Sequence, residues 1–113
     1  MFTLYTKPVP LNQKFFISRG RNILSSKYRD TKYALAQETR LKWIVEPHRG
    51  IVEMVVRFYF GDKRKRDVDA YVKILLDSMQ GIVYEDDNQV HILHLFKHYD
   101  KDNPRTEVEI TSN

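Results

Sequence analysis

The sequence has no cysteine and only four glycines in 113 residues. The absence of cysteine excludes disulfides and thiolate zinc sites, and it is typical of a reducing compartment. The glycines form no P-loop or dinucleotide-binding pattern, so we expect no small-molecule cofactor. No apolar run has the length of a membrane span, and the N-terminus lacks a signal-peptide pattern. These absences favour a cytoplasmic protein that makes no contact with a membrane.

Charge, in contrast, is abundant and unevenly distributed. The chain has 19 Lys and Arg residues against 15 Asp and Glu residues, a net charge of +4. The densest basic run consists of four consecutive cations, Lys63, Arg64, Lys65 and Arg66. Clustered cations are typical of surfaces that bind polyanions such as nucleic acids. The length of the chain, residues 1–113, is that of one domain with a modest core.

The hydrophobic pattern predicts strands that alternate with helices. Alternation of apolar and polar side chains predicts strands at residues 2–6, 51–60, 89–97 and 106–111, with a short extended piece at 82–84. The residues between the first strand and Leu24 are predicted to form a loop. This order favours an α+β fold in which two helices pack on a single mixed sheet of four to five strands.

Two helices are predicted, at residues 27–44 and 68–79. Ser25 or Ser26 precedes the first as a typical N-cap. This helix carries the cations Lys27, Arg29, Lys32, Arg40 and Lys42, and most of them are interpreted as a solvated surface. In the second helix apolar residues recur at intervals of three and four, and Gly81 follows at a position typical of a helix end.

Carboxylates flank the second helix on both sides. Asp69, Lys73 and Asp77 are four residues apart, so they are predicted to share one side of the helix. Taken singly, Asp67 and Asp69 are typical helix caps, and Asp69 with Lys73 is a typical exposed ion pair. Taken together with Asp87, which precedes the next strand, they suggest a shared carboxylate site, because we expect the two acidic groups to meet at one end of the sheet.

Carboxylates that lie close together repel one another unless a cation sits among them. A set of oxygen ligands without cysteine suits Mg²⁺. A magnesium centre next to a basic loop has the components needed for phosphodiester hydrolysis, since the metal activates water while the cations hold the nucleic-acid backbone.

The motifs in this segment resemble those of the RusA family of Holliday-junction resolvases. The resemblance is carried by Arg66-Asp67-Val68-Asp69, by Lys73 and Asp77, and by Tyr84-Glu85-Asp86-Asp87-Asn88-Gln89-Val90. The N-terminal half is similar as well, in Pro8-Val9-Pro10-Leu11-Asn12-Gln13-Lys14-Phe15-Phe16, Arg19-Gly20-Arg21 and Tyr28-Arg29-Asp30. One position differs, because the family usually carries Asn where this chain has Ala70.

The resemblance implies a Mg²⁺-dependent endodeoxyribonuclease that resolves four-way DNA junctions as a homodimer. It implies that Asp67, Asp69 and Asp87 ligate the metal with help from Asp86, and that Lys73 stabilises charge on the phosphate or orients the water. The side chains expected to hold DNA are Lys63, Arg64, Lys65, Arg66, Lys14, Arg19 and Arg21.

Three other functions stay open at the level of the sequence. The same site could cut flaps, single strands or RNA. The protein could bind DNA junctions without cutting them, an alternative that Ala70 leaves open. The carboxylates could also bind Ca²⁺ structurally, without nuclease activity.

Overall fold

The computed structural model describes residues 1–112, which form a four-stranded sheet, a separate two-stranded hairpin and two helices. The sheet has the order β1-β6-β4-β5, and it consists of β1 (Phe2–Leu4), β4 (Val52–Phe60), β5 (Val90–Tyr99) and β6 (Arg105–Ser112). Because β4 is parallel to β5 and antiparallel to β6, the sheet is mixed. The predicted α+β class with two helices and a mixed sheet is confirmed.

The central strand β4 shows how the sequence forms the core. Val52, Met54, Val56 and Phe58 are buried on one face, while the alternate side chains are only partly covered. The helices α1 (Ser26–Lys42) and α2 (Val72–Met79) contribute Leu35, Ile74 and other side chains to the same apolar cluster. Period-two alternation therefore places one face of the strand against the helices.

The first helix begins where its capping residue predicts. The Ser25 hydroxyl accepts a hydrogen bond from the Tyr28 backbone N–H at 3.0 Å, which satisfies one of the free N–H groups of the first turn. The second helix is shorter than predicted. Residues Val68–Ala70 form a separate 3-10 turn, and Gly81, at φ +79°, follows the end of α2 in the left-handed conformation that glycine adopts most easily.

A hairpin occupies the region predicted to be a loop. Strands β2 (Phe15–Ser18) and β3 (Arg21–Leu24) pair antiparallel, and Arg19 and Gly20 connect them with φ values of 53° and 75°. Two consecutive positive φ values are typical of the two-residue turn whose twist matches paired strands. The loop prediction was wrong because neither strand alternates apolar and polar residues. Such alternation marks a strand with one buried face, and nearly all side chains of β2 and β3 are exposed.

The reason for expecting the two acidic groups to meet, a shared end of the sheet, was wrong, whereas their meeting stays a prediction. In the parallel pair, Val90 at the start of β5 lies opposite Val52 at the start of β4. The chain therefore leaves β4 and enters β5 at opposite ends, as a crossover connection requires. The residues predicted to be extended at 82–84 are instead a buried turn, in which Tyr84 makes isolated bridges to His48 and Gln80.

Neither helix within residues 1–112 has the combination of length and hydropathy that would let it cross a membrane.

Candidate functional site

One side of α2 faces the 3-10 turn Asp87–Gln89 that precedes β5. The Lys73 ammonium lies between two carboxylates, 3.0 Å from Asp77 Oδ1 and 3.2 Å from Asp87 Oδ2. The backbone N–H of Asp87 donates to Gln80 Oε1 at 3.2 Å. Lys73 and Asp77, four residues apart, share one face of α2, and Gln80 directly follows the helix. We call Lys73, Asp77 and Asp87 the lysine cluster.

The three side chains of the lysine cluster differ in their exposure to solvent. The Asp77 side chain is 11% exposed, that of Asp87 is 26% exposed and that of Lys73 is 42% exposed. The pKa of Lys73 is raised, first by its hydrogen bond to Asp77 and then, against the effect of burial, by its hydrogen bond to Asp87. Lys73 therefore stays an ammonium ion between two negative charges.

Asp77 also connects the cluster to the N-terminal half of the chain. The Tyr28 hydroxyl donates to Asp77 Oδ2 at 3.4 Å, and Lys14 Nζ lies 4.0 Å from the same oxygen. Burial, together with the negative charge of Asp77, raises the pKa of Tyr28 to about 12. The tyrosine thus remains a neutral hydrogen-bond donor at physiological pH, and the hairpin, α1 and α2 converge on one carboxylate.

The Tyr84 side chain is buried near these carboxylates. Its hydroxyl donates to the Leu76 carbonyl at 2.7 Å, at the end of a side chain that is inaccessible to solvent. Burial is the main cause of the raised pKa of Tyr84, and the charges of Asp87, Asp77 and Asp86 add to it. Three carboxylates from two different segments are therefore close enough to act on one phenol.

Asp67 and Asp69 have no such partners. Asp67 is at the N-cap position of the turn Val68–Ala70, but its side chain makes no capping hydrogen bond. Both residues are exposed, and neither carboxylate forms an ion pair within residues 1–112. The expected ion pair between Asp69 and Lys73 does not form, because Asp69 lies in the 3-10 turn before α2 and Lys73 binds Asp77 and Asp87 instead.

Asp86 caps and stabilises the turn Asp87–Gln89. Its Oδ1 accepts from the Asn88 backbone N–H at 3.0 Å, while the Gln89 side chain accepts from the backbone N–H of Asp86 at 2.8 Å. This reciprocal capping box fixes the turn that carries Asp87.

The basic run divides into exposed and internally bonded cations. The side chain of Arg66 is 12% exposed and lies 2.9 Å from Asp62 Oδ1, with its guanidinium 4.4 Å from the centre of the Phe60 ring. The hydrogen bond from Arg66, assisted by the Arg64 backbone, lowers the pKa of Asp62 to about 2. Lys63, Arg64 and Lys65 are exposed. Only these three of the four predicted cations therefore point outward.

The predicted cations of the N-terminal region also differ from one another. Lys14 is 24% exposed, lies near Asp77 and sits over the rings of Phe15 and Tyr28 at 5.3 and 5.4 Å. Arg19 and Arg21 are exposed at the tip of the hairpin, where they line a shallow depression together with Ser18 and Ile23.

No group of three or more His, Asp or Glu side chains in the described portion of the chain is gathered closely enough to hold a metal ion by itself. The donor types nevertheless fit Mg²⁺, which commonly binds one or two carboxylates and completes its shell with waters and substrate phosphates. Asp67 and Asp69 supply two carboxylates without internal partners, and Asp87 lies beside Lys73, which follows Asp69 by four residues.

Sequence reasoning placed Asp77 on the correct helix face but gave it no part in the site. Its i,i+4 spacing from Lys73 was visible, whereas its contacts with Tyr28 and Lys14 depend on tertiary packing. The sequence carried no signal for these contacts, because the burial of Asp77 is visible only in the structure.

A comparison with individually characterised proteins gives no significant match. A comparison with protein families matches residues 6–111 to the family described as Endodeoxyribonuclease RusA. The match covers nearly the whole chain, including the hairpin, the basic run and both acidic segments. The chain therefore belongs to the RusA family of Holliday-junction resolvases and is an endodeoxyribonuclease.

Proposed function

We propose that the protein resolves four-way DNA junctions by Mg²⁺-dependent phosphodiester hydrolysis at the surface that joins Asp67 and Asp69 to the lysine cluster. The observation that carries the proposal is the contact between Lys73 and Asp87 at 3.2 Å. It links the turn before β5 to the start of α2, directly after the two carboxylates that lack partners.

Asp67, Asp69 and Asp87 would hold the metal, with Asp86 fixing the turn that presents Asp87. Bound there, Mg²⁺ would supply a positive charge for the phosphoryl oxygen and lower the pKa of a water molecule. Exposure of Asp67 and Asp69 supports this role, because solvent and a phosphate can both reach them.

Lys73 has the position of a group that stabilises negative charge on the phosphate. It is partly exposed, it is held by two carboxylates, and its raised pKa keeps it charged. A fixed cation stabilises developing charge more effectively than a mobile one, because it needs no reorganisation during the reaction.

The exposed cations of the basic run hold the DNA backbone in this proposal. Lys63, Arg64 and Lys65 precede the segment that carries Asp67, and Arg19 and Arg21 supply exposed positive charge at the hairpin tip. Arg66 and Lys14 act differently, since both are largely covered, the first beside Asp62 and the second near Asp77, whereas Arg64 stays exposed although it also pairs with Asp62.

A junction with two-fold symmetry requires paired cuts, which we propose are made by a C2 homodimer. The edge strand β5 supports this proposal, because its outer edge has no strand partner in the part of the chain that the structure describes. Its side chains Ile92, Leu93, Phe96 and Tyr99 are between 37% and 45% exposed. An edge strand presents unpaired backbone groups with which a strand of another chain can pair.

Light scattering after size-exclusion chromatography tests the dimer. We expect wild type to elute as a dimer and Phe96→Glu to dissociate, while Ile44→Glu, at an exposed site after α1, stays dimeric. A monomeric wild type, or dissociation by the control alone, would contradict the proposal.

The substrate is tested with a panel of synthetic four-way junction, flap, duplex and single-stranded RNA, each with and without Mg²⁺. We expect paired nicks in the junction only when Mg²⁺ is present, and a loss of about 10²- to 10³-fold in rate for Asp69→Asn. Asp30→Asn, on α1, is the matched control and should cut like wild type. Equal rates for Asp69→Asn and wild type would contradict the proposed metal centre. Preferential cutting of flaps or RNA would show that the four-way junction is not the main substrate.

A further inference from the structure

A cleft of about 660 Å³ opens beside the end of β4. Its walls are formed by residues 5–10, the first turns of α1, residues 58–62 and residues 104–106. Phe60 and Tyr71 lie in its lining, with their ring centres 5.1 Å apart in an edge-to-face arrangement. Arg66 covers Phe60, so packing within the protein already fixes this wall of the cleft.

The charge around this cleft is strongly one-sided. The lining contains Lys7, Lys27, Arg64, Arg66, Lys101 and Arg105, with Asp62 as its only acid. Asp62 is neutralised by Arg66, and Arg105 binds Asp100 and Glu107 outside the cleft.

Three lysines of the lining have no such counter-charges. Lys7, Lys27 and Lys101 are exposed and form no ion pair among residues 1–112. They come from three separate segments that meet only in the folded protein. The cleft therefore presents three uncompensated ammonium groups to an incoming anion.

The cleft borders the lysine cluster through two shared segments. Gln13 lines the cleft, and the next residue, Lys14, lies 4.0 Å from Asp77. Tyr71 also lines the cleft, and Lys73, two residues later, contacts Asp87. Two short segments of the chain thus contribute both to the cleft and to the lysine cluster.

We propose that this cleft binds the sugar–phosphate backbone of one DNA strand next to the cleavage site, with Lys7, Lys27 and Lys101 each contacting a phosphate. The identity of the polyanion as junction DNA rests on the proposed function, whereas the phosphate contacts rest on the geometry and charge of the cleft. Neutralised phosphates release counterions, so each contact adds about 0.9 to the slope of log affinity against log salt concentration.

The test is fluorescence anisotropy of a labelled four-way junction in EDTA, where binding is measured without cleavage, between 50 and 200 mM KCl. We expect Lys7→Gln, Lys27→Gln and Lys101→Gln each to reduce the steepness of the salt slope by about 1, and the triple variant to reduce it by about 3. Lys32→Gln is the matched control, because Lys32 is an exposed lysine of α1 outside the cleft.

A triple variant with the wild-type slope would overturn the proposal, as would an equal reduction by Lys32→Gln, which would indicate a general effect of net charge. Thermal unfolding of the triple variant should match that of wild type, since none of the three lysines has an internal partner. The slope is independent of catalysis, so a reduced slope in a protein that cuts no substrate would support the cleft while refuting the proposed nuclease reaction.

Discussion

The lysine cluster and the turn that carries Asp67 and Asp69 are neighbours with opposite electrostatic organisation. In the lysine cluster every charge has a partner at 3.0–3.2 Å, and Asp77 is nearly buried. In the turn, both carboxylates are exposed and without partners within the described residues. Charges that are paired internally contribute to the fold, whereas exposed, unpaired acids remain available to a ligand from outside. Under the proposed function, the buried pairing of Asp77 supports the fold, while Asp67 and Asp69 are free to bind a metal together with Asp87.

The largest expected effect that separates the two regions is the loss of junction cleavage in the Asp67→Asn variant. We expect the rate of junction cleavage to fall by about 10²- to 10³-fold, because one proposed metal ligand is lost. The melting temperature should stay at the wild-type value, since the Asp67 carboxylate makes no hydrogen bond that would be lost. Initial rates and thermal unfolding measured on the same preparation check both parts.

A destabilised Asp67→Asn variant with normal cleavage would reverse the comparison. In that case Asp67 would be a structural residue, and its proposed role as a metal ligand would be wrong.

The next effect in size is on stability, by Asp77→Asn. Removal of the nearly buried negative charge leaves Lys73 with one partner and weakens the contacts to Tyr28 and Lys14. We expect the free energy of unfolding to fall by about 1–3 kcal/mol, as measured by urea denaturation. Asp67→Asn is the matched variant, because it removes the same charge from the neighbouring segment. Equal stability of the two variants would show that the internal pairing of Asp77 contributes nothing to the fold.

The smallest expected effect concerns a paired carboxylate away from both regions. Burial alone would raise the pKa of Glu38, but backbone hydrogen bonds from Tyr5 and Thr6 at 2.6 and 3.0 Å, together with Lys42, outweigh it and leave the pKa lowered. A lowered folded-state pKa contributes stability that is present above the unfolded-state value of about 4.3 and is lost as the pH falls through the folded-state value.

Glu38→Gln should therefore be less stable than wild type by about 1 kcal/mol at pH 7, and the difference should shrink as the pH falls below about 4. Urea denaturation at pH 7, 5 and 3 measures it. A difference that grew on acidification would show that the sign of the Glu38 shift is wrong.

The fold was predictable where the information is local. The alternation in β4 and the serine cap of α1 are encoded by residues close in sequence, and both were identified. The hairpin was missed because Phe15, Phe16 and Ile17 are all at least half exposed, and no alternation marks a buried face. The direction of β5 relative to β4 could not be inferred, since strand patterns are the same for parallel and antiparallel pairing.

The site was predictable in its residue types but not in its contacts. The spacing of Lys73 and Asp77 predicts a shared helix face, and the structure pairs them at 3.0 Å. The contact between Lys73 and Asp87 joins residues fourteen apart through the packing of a turn against a helix. The expected Asp69–Lys73 pair failed because a 3-10 turn has a different periodicity from an α-helix. The metal ligands stay a prediction.

The most direct test of the proposed centre is paramagnetic broadening of ¹⁵N-labelled protein by substoichiometric Mn²⁺, a hard cation that shares the oxygen ligands of Mg²⁺. We expect the amide signals of Asp67, Asp69 and Asp87 to broaden first, and we expect Asp69→Asn to remove this effect while Asp77→Asn retains it. Broadening that is strongest elsewhere, for example at Asp100 and Asp102, or that is unchanged in Asp69→Asn, would contradict the proposed metal centre.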